Sequence, residues 1–276
     1  MITIKPTDIR YIDIRHIDWG CDWALQWPES IACDQGWIMD FQPIQPQWEA
    51  IGELGFQYMW KSDAVYLEKQ REYAKQNPSL AHKEFIEGVT VEPVIKINGN
   101  VLERSITIHN GSNLHLTGVV CDGGCFQAKS PEFTGPDEPS RTYTVNNGTV
   151  TSLAELPRTQ PERCMYMSNA EDYDSPAISE GEWFWGRCSA EIDVPAIMAM
   201  KSTDENKAVG VMFEGATAGS ANADEHHCMH SRPNFGTLAP GDKVTRNGWI
   251  VFGQSIDEVI SQLQNSLSYI PLKSAH

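Results

Sequence analysis

The sequence predicts an all-β protein: an antiparallel β-sandwich of supersandwich type, with a Trp-rich N-terminal segment and one or two peripheral helices. Three observations predict it. Short runs of alternating apolar and polar residues recur from residue 88 to residue 254, and two pairs of them flank the turn dipeptides Asn98-Gly99 and Asn147-Gly148. Only two stretches show helical spacing. Alternating strand–helix units are missing, and the chain has no GxGxxG turn after a strand, no Walker loop and no GxSxG elbow. Doubly wound, P-loop and α/β-hydrolase chemistries therefore lack support.

Taken in order, residues 1–17 read as strand, because Ile2, Ile4, Ile9, Tyr11, Ile14 and Ile17 fall near period two. Residues 18–60 carry Trp19, Trp23, Trp27, Trp37, Trp48 and Trp60, and Pro28, Pro43 and Pro46 interrupt them. That segment reads as irregular, packed on the sandwich as a lid or presenting a stacking platform. A helix is expected over 62–76, capped by Ser62 or Asp63 and ended by Asn77-Pro78. Strands follow in VTVEPVIKI and VLERSITIH, in LHLTGVVCD, and in RTYTV with TVTSL. Further strands are expected at 183–193, 196–201, 207–214, 226–231 and 244–252. A closing helix over 256–268 opens on a Ser255/Glu258 capping box and has Ile256, Val259, Ile260 and Leu263 on its apolar face. The whole reads as one domain over 1–276, divided into an N-terminal segment (1–87), the sandwich (88–254) and the terminal helix (255–268).

Composition bounds the function. The chain has 276 residues, 41% of them apolar, enough for a sizeable core. Its net charge of −16 argues against nucleic acid and against docking on anionic membrane by charge. No apolar run approaches the roughly 20 residues of a membrane span. The N-terminus lacks the apolar core of a signal peptide, so a cytoplasmic location is expected, a removed leader aside. Seven cysteines without a dense framework read as reduced, buried thiols, and the CxxxC pair Cys121 and Cys125 reads as structural.

The segment richest in chemistry is Asp224-Glu225-His226-His227-Cys228-Met229-His230-Ser231-Arg232. On a strand, alternation puts His226, Cys228 and His230 on one face. With two imidazoles and a thiol on that face, two side chains can reach one divalent metal, zinc first, with a third ligand from a neighbouring strand or from Glu225 or Asp224. The same histidines also suit a metal-free base, or core positions satisfied by backbone or carboxylate. Arg141, Arg232 and Arg246 stand out in an acidic chain. Arg141 and Arg232 could bind an anionic group, although an ion pair is the commoner fate of an Arg. Tyr143 is a candidate acid. His109 and Asn110 are candidate substrate contacts, against the plainer reading of a turn. Glu180 and Glu182 flank Trp183 as candidate carboxylates, and Trp185 and Tyr166 are further aromatics on plausible strands.

The run HHCMHSRPNFGTLAPGDKVTRNGWIVF, with Asn110-Gly111-Ser112 and Arg141-Thr142-Tyr143, resembles the closing strands of uncharacterised bacterial β-sandwich proteins. The broader shape over about 90–253 resembles galactose-mutarotase-like sandwiches, which include aldose epimerases and domains of polysaccharide lyases. The resemblance implies a sugar ligand. A cupin-like resemblance competes through the H-x-C-x-H strand, but the H-x-H pair of that family is missing.

These readings combine into a carbohydrate-active enzyme that acts on a saccharide or uronate by proton abstraction, of lyase or epimerase type. His226 or His230 serves as base or, with Cys228, as metal ligand; Tyr143 serves as acid; Arg141, Arg232, His109, Asn110 and Trp60 bind substrate. Trp19, Trp23, Trp27 and Trp60 would stack on sugar faces. No nucleotide cofactor is expected. Three other readings stay open: a non-catalytic carbohydrate-binding sandwich, a cupin-like metal-dependent oxygenase or isomerase, and a structural or assembly protein, a homo-oligomer included, with the Trp-rich segment as its interface.

Overall fold

The structure is a computed structural model, and it describes residues 1–39, 45–76, 84–160, 162–169, 185–224 and 226–268. Pro43, Asn77, Pro78, Glu180, Glu182, Trp183 and Glu225 lie outside the described residues.

Two large, almost wholly antiparallel sheets pack face to face. Along the hydrogen-bonded path of the first run Ile2–Pro6, Tyr11–His16, Cys21–Gln26, Cys125–Ala128, Cys228–Leu238, Leu116–Asp122, Ser30–Cys33 and Gly36–Met39. Ala216–Asn222 takes the other edge of Cys228–Leu238 and carries Arg163–Met167 beyond it. The second sheet runs Thr149–Ser152, Thr142–Asn146, Ile197–Lys201, Ala208–Phe213, Lys243–Gly253, Val101–Asn110, Val89–Asn98, Gly55–Gln57 and Glu49–Ala50. The hairpin at Asn98-Gly99 forms as expected, with Val101 opposite Asn98.

The main core lies between the sheets, where Trp23 meets Phe252 at 5.1 Å and Trp27 stacks on Phe213 at 5.7 Å between ring centroids. A smaller cluster lies on the outer face of the second sheet. There Ile197, Ala199, Met212, Trp249 and Val251 pack against Ile256, Val259, Ile260 and Leu263. These last four belong to the terminal helix Ile256–Ser268, whose Glu258 amide donates to Ser255 Oγ while its carboxylate accepts from the Gln254 amide. The helix α1, Ala64–Gln76, is capped by Asp63, which accepts from the Tyr66 amide at 2.9 Å. No helix among the described residues is long and apolar enough to cross a membrane.

The Trp-rich segment departs from the reading of an irregular appendage. Cys21–Gln26, Ser30–Cys33 and Gly36–Met39 are strands of the first sheet. The pattern of Cys21–Gln26 and Ser30–Cys33 escapes a period-two search because both faces are buried there, so no polar alternation marks them. Trp23 and Trp27 are core, Trp60 is 8% exposed with its edge on Tyr66, and half-buried Trp19 stacks on His16 at 4.0 Å. Trp23, Trp27 and Trp60 are therefore buried away from the surface on which a sugar would stack. The strand expected at 183–193 shrinks, among described residues, to the pair Gly186–Arg187. The strand expected at 226–231 starts at Cys228 and runs on to Leu238, through Pro233 at a register shift.

Candidate functional site

The site is built on the strand Cys228–Leu238. Met229 faces the main core, and Ser231 Oγ accepts from the Phe213 amide and donates to the Ala196 carbonyl. Alternation therefore turns Cys228, His230 and Arg232 to the outer face of the first sheet. Beside this strand the chain runs through Leu116–Asp122 and Cys125–Ala128, broken at Gly123-Gly124. In an unbroken strand Asp122 and Cys125, three residues apart, would point to opposite faces. The break resets the alternation and brings both to His230. Only glycine serves there. A Cβ on Gly123 would lie 2.4 Å from the Ser231 carbonyl oxygen, and Gly124 has φ +111°.

Around the His230 ring the contacts divide by edge. Nδ1–H donates to Asp122 Oδ1 at 2.7 Å, and Asp122 Oδ2 takes an ion pair from Arg232 Nη2 at 2.8 Å. Nε2 lies 3.0 Å from Cys228 Sγ, with Cys125 Sγ beside it. Gln127 Nε2 donates to Cys125 Sγ at 3.2 Å, and Lys129 Nζ donates to Gln127 Oε1 at 2.6 Å. Lys129 can only donate, so it fixes which end of the Gln127 amide faces the sulfur. The Trp185 ring stands edge-on 6.1 Å from His230, and the Arg232 guanidinium lies 5.9 Å from the same indole. His230 is 2% exposed.

The charges are mutually arranged. Burial alone would lift the Asp122 carboxyl, but the Arg232 guanidinium and the His230 ring outweigh it and hold the pKa down to about 2. Burial likewise disfavours a charged His230, yet Asp122, Cys125 and Glu29 raise its pKa well above the usual histidine range. Burial pushes the Cys125 and Cys228 thiols up.

Glu29 completes the cluster. Its Oε2 lies 3.1 Å from His230 Nδ1, but that nitrogen has one proton and the nearer Asp122 takes it. Glu29 Oε2 is left buried without a hydrogen-bond donor among the described residues, and so is Arg232 Nε without an acceptor. Ser220 Oγ, directly across the strand pair from His230, is also unpartnered. Buried polar atoms in native proteins are nearly always paired, so these three orphans around one histidine are groups that a bound water, ion or ligand would satisfy. Two donor sets here have metal-like spacing, Cys125 with Cys228 and His230, and Glu29 with Asp122 and His230; within each, the atoms lie within 4.8 Å of one another.

Of the residues expected from sequence, Cys228, His230 and Arg232 come together. Arg232 does so as the partner of Asp122. His226 does not join them: it is exposed on a bend, and His227 at φ +48° turns the chain before the strand begins. His227 instead pairs through Nδ1 with Glu138. Tyr143 lies on the second sheet, packed against the outer cluster under the terminal helix, so both sheets separate it from His230. Arg141 closes the helical turn Glu138–Arg141 as a clamp, donating to Asp137 and to the Lys201 and Thr134 carbonyls. Asn110 braces a turn through the Leu114 and Leu238 carbonyls. Leu238 is eight residues along the strand from His230, about 26 Å at ~3.3 Å per residue, which takes Asn110 and the adjacent His109 out of reach. Trp60 is core.

Sequence reasoning missed Glu29 and Asp122 and set Cys125 aside. The available signal was Asp122-Gly123-Gly124-Cys125, a diglycine inside a strand pattern, which marks a bulge or a close backbone approach.

No family model matches the chain, and no curated protein matches it. Among solved structures it is similar to a galactose mutarotase-like protein from Lactobacillus casei (TM-score 0.47, 8% identity, 91% of this chain and 99% of that one). It is also similar to a putative aldose 1-epimerase from Escherichia coli K12 (TM-score 0.44, 8% identity, 92% and 99%). An α-mannosidase from Enterococcus faecalis aligns with 98% of this chain over 30% of its own length, at 12% identity and TM-score 0.44. The first two carry names from the group of sandwiches that the closing strands resemble. At these identities the likeness says nothing about the site.

Proposed function

We propose that the protein is a carbohydrate-active enzyme of epimerase type, with Glu29 as the proton-carrying group. One observation carries this reading: a buried carboxylate oxygen without a donor, beside an ionised Asp122 already saturated by His230 and Arg232. Such an oxygen is a ready proton acceptor. Glu29 and Arg232 are the parts of the cluster that solvent reaches, their side chains being 13% and 15% exposed.

The chemistry follows from these positions. At the anomeric centre of an aldose, Glu29 Oε2 takes the hydroxyl proton. The freed electron pair forms the carbonyl as the ring C–O bond breaks, and the carboxyl hands the proton to the departing ring oxygen. Rotation and the reverse sequence close the other anomer. Arg232 Nε is placed to donate to the oxygen on which charge develops. Asp122 and His230 are positioning residues that hold Arg232 and leave Glu29 free. A carboxylate, a guanidinium, a hydroxyl on Ser220 and the indole of Trp185 suit a polyhydroxylated ring, whose hydroxyls hydrogen-bond and whose C–H face stacks.

The test is anomeric exchange across a panel of aldoses and uronates, followed by polarimetry or NMR. The expected result is acceleration by the wild type and a loss of about 10²–10⁴-fold in Glu29→Gln. No acceleration with any sugar of the panel, or full activity in a folded Glu29→Gln, refutes the proposal. Binding without acceleration makes the protein a sugar-binding sandwich instead.

A further inference from the structure

We infer that Cys125 Sγ, Cys228 Sγ and His230 Nε2 form a zinc site with an open fourth position. It uses the opposite edge of His230 from the carboxylates and does not depend on Glu29 chemistry, although it shares that histidine with the proposed function.

Four features point the same way. First, the three donors converge: all are buried, all lie within 4.8 Å of one another, and Nε2 is 3.0 Å from Cys228 Sγ. Zn–S bonds near 2.3 Å and Zn–N bonds near 2.0 Å put tetrahedral donors about 3.5–3.8 Å apart, so small side-chain shifts seat the ion. Second, Asp122 holds Nδ1–H at 2.7 Å, so the proton that His230 gives up to a metal is the one on Nε2, the edge that faces the thiols. Carboxylate support of this kind is the usual outer partner of a metal-bound histidine. Third, the Gln127 amide, oriented by Lys129, donates to Cys125 Sγ and stabilises the charge a thiolate would carry. Fourth, the unpartnered Ser220 hydroxyl stands across from His230, on the same face, where it can hydrogen-bond a water or substrate oxygen in the fourth position.

Two thiolates and one imidazole select zinc over calcium or magnesium, which take oxygen donors. On binding, the two thiols and His230 Nε2 release their protons to solvent, and each sulfur and that ring nitrogen donates an electron pair to the ion. The Asp122, Glu29 and His230 set is the poorer alternative, because the Nδ1 lone pair it needs is replaced by the proton given to Asp122. His226, proposed from sequence as a ligand, is replaced by Cys125.

The experiment uses the full chain, purified under reducing conditions and offered zinc alone, then cobalt alone, with metal content read by elemental mass spectrometry. About one equivalent of zinc is expected. It should be lost in Cys125→Ser and Cys228→Ser and kept in His226→Ala and Glu29→Gln. The wild-type cobalt form should show thiolate-to-metal charge transfer and the intense visible bands of a tetrahedral ion. That spectrum needs no variant, so it decides the matter even where a cysteine variant fails to fold. Absence of bound zinc, zinc retained in either cysteine variant, or a cobalt spectrum without thiolate charge transfer overturns the inference. Absence of zinc with Glu29-dependent turnover overturns the zinc site alone. Zinc bound through the cysteines without sugar turnover overturns the proposed function alone.

Discussion

Asp122 is the hinge of the site, and its removal is a quantitative test of how the cluster is held. Its carboxylate is 4% exposed and bridges Arg232 at 2.8 Å and His230 at 2.7 Å. Asp122→Asn keeps the shape and removes the charge, which strands a guanidinium whose Nε is already unpaired. Breaking one partner of a buried pair costs about 3–5 kcal/mol. An unfolding entropy of about 0.6 kcal/mol/K for 276 residues converts that to a fall of roughly 5–9 °C in Tm. Arg232→Met removes the other charge and leaves Asp122 with His230. Because the two share one interaction, the double variant should lose less than the sum of the singles, by about 1–3 kcal/mol. The assay is urea and thermal unfolding followed by circular dichroism, run with chelator so that metal binding does not shift the equilibrium. Single losses below about 1 kcal/mol, or additivity within about 0.5 kcal/mol, would show that the pair does not hold the site together.

Three further outcomes are expected. Gly124→Ala forces a Cβ to within 2.8 Å of the Gln26 carbonyl oxygen at φ +111°, and should cost about 2–4 kcal/mol in denaturant unfolding. Arg141→Met removes the clamp on Asp137, Thr134 and Lys201 and should lower stability by about 2–3 kcal/mol. The sugar KM of its folded fraction should stay unchanged, whereas a raised KM would restore Arg141 as a substrate ligand. Burial holds the His16 pKa below the usual 6.5, helped by the Met1 amino group and opposed by Asp18. As pH falls through 6.5 the unfolded chain takes up a proton that the folded chain refuses. This contribution to stability is therefore present above pH 6.5 and lost below it. His16→Phe, which can keep the stack on Trp19, should flatten the slope of unfolding free energy against pH just below 6.5, and an unchanged slope would assign it to other groups.

Much of the sandwich was legible because half-buried strands advertise themselves. Val101–Asn110 alternates along its length, and the Asn-Gly turns fix where it meets its neighbour. The terminal helix was legible for the same reason, through its cap and its apolar stripe. Cys21–Gln26 was not, since it is buried on both faces and Asp22 and Gln26 alone do not mark a period, and its Trp23 looks the same in a core as on a platform. Within the site, Cys228 and His230 followed from alternation along one strand. Glu29 and Asp122 could not follow from it, because they reach the histidine from other strands and loops, at sequence separations that only pairing reveals. Arg141 misled for a related reason: nothing in RTYTV distinguishes a guanidinium that closes a local turn from one that faces a ligand.

The diglycine shows how the fold and the chemistry are tied. His230 has two ring edges, and the structure gives carboxylates to one and thiols to the other. Asp122 and Cys125 come from a single stretch of chain, yet strand geometry forbids both from facing the same way unless something between them breaks the alternation. Gly123 provides the close approach to the Ser231 carbonyl, and Gly124 the positive φ. The break also falls where the sheet divides, with Ser30–Cys33 pairing to Leu116–Asp122 and Cys21–Gln26 pairing to Cys125–Ala128. Glu29 sits at that division, just before Ser30, and so reaches the same ring. The diglycine thus delivers Asp122 and Cys125 to His230, and the matching gap between Cys21–Gln26 and Ser30–Cys33 adds Glu29. A side chain at position 123 or 124 should disturb the carboxylate edge and the thiol edge at once, whereas substitutions at Glu29 or Cys125 act on one edge alone.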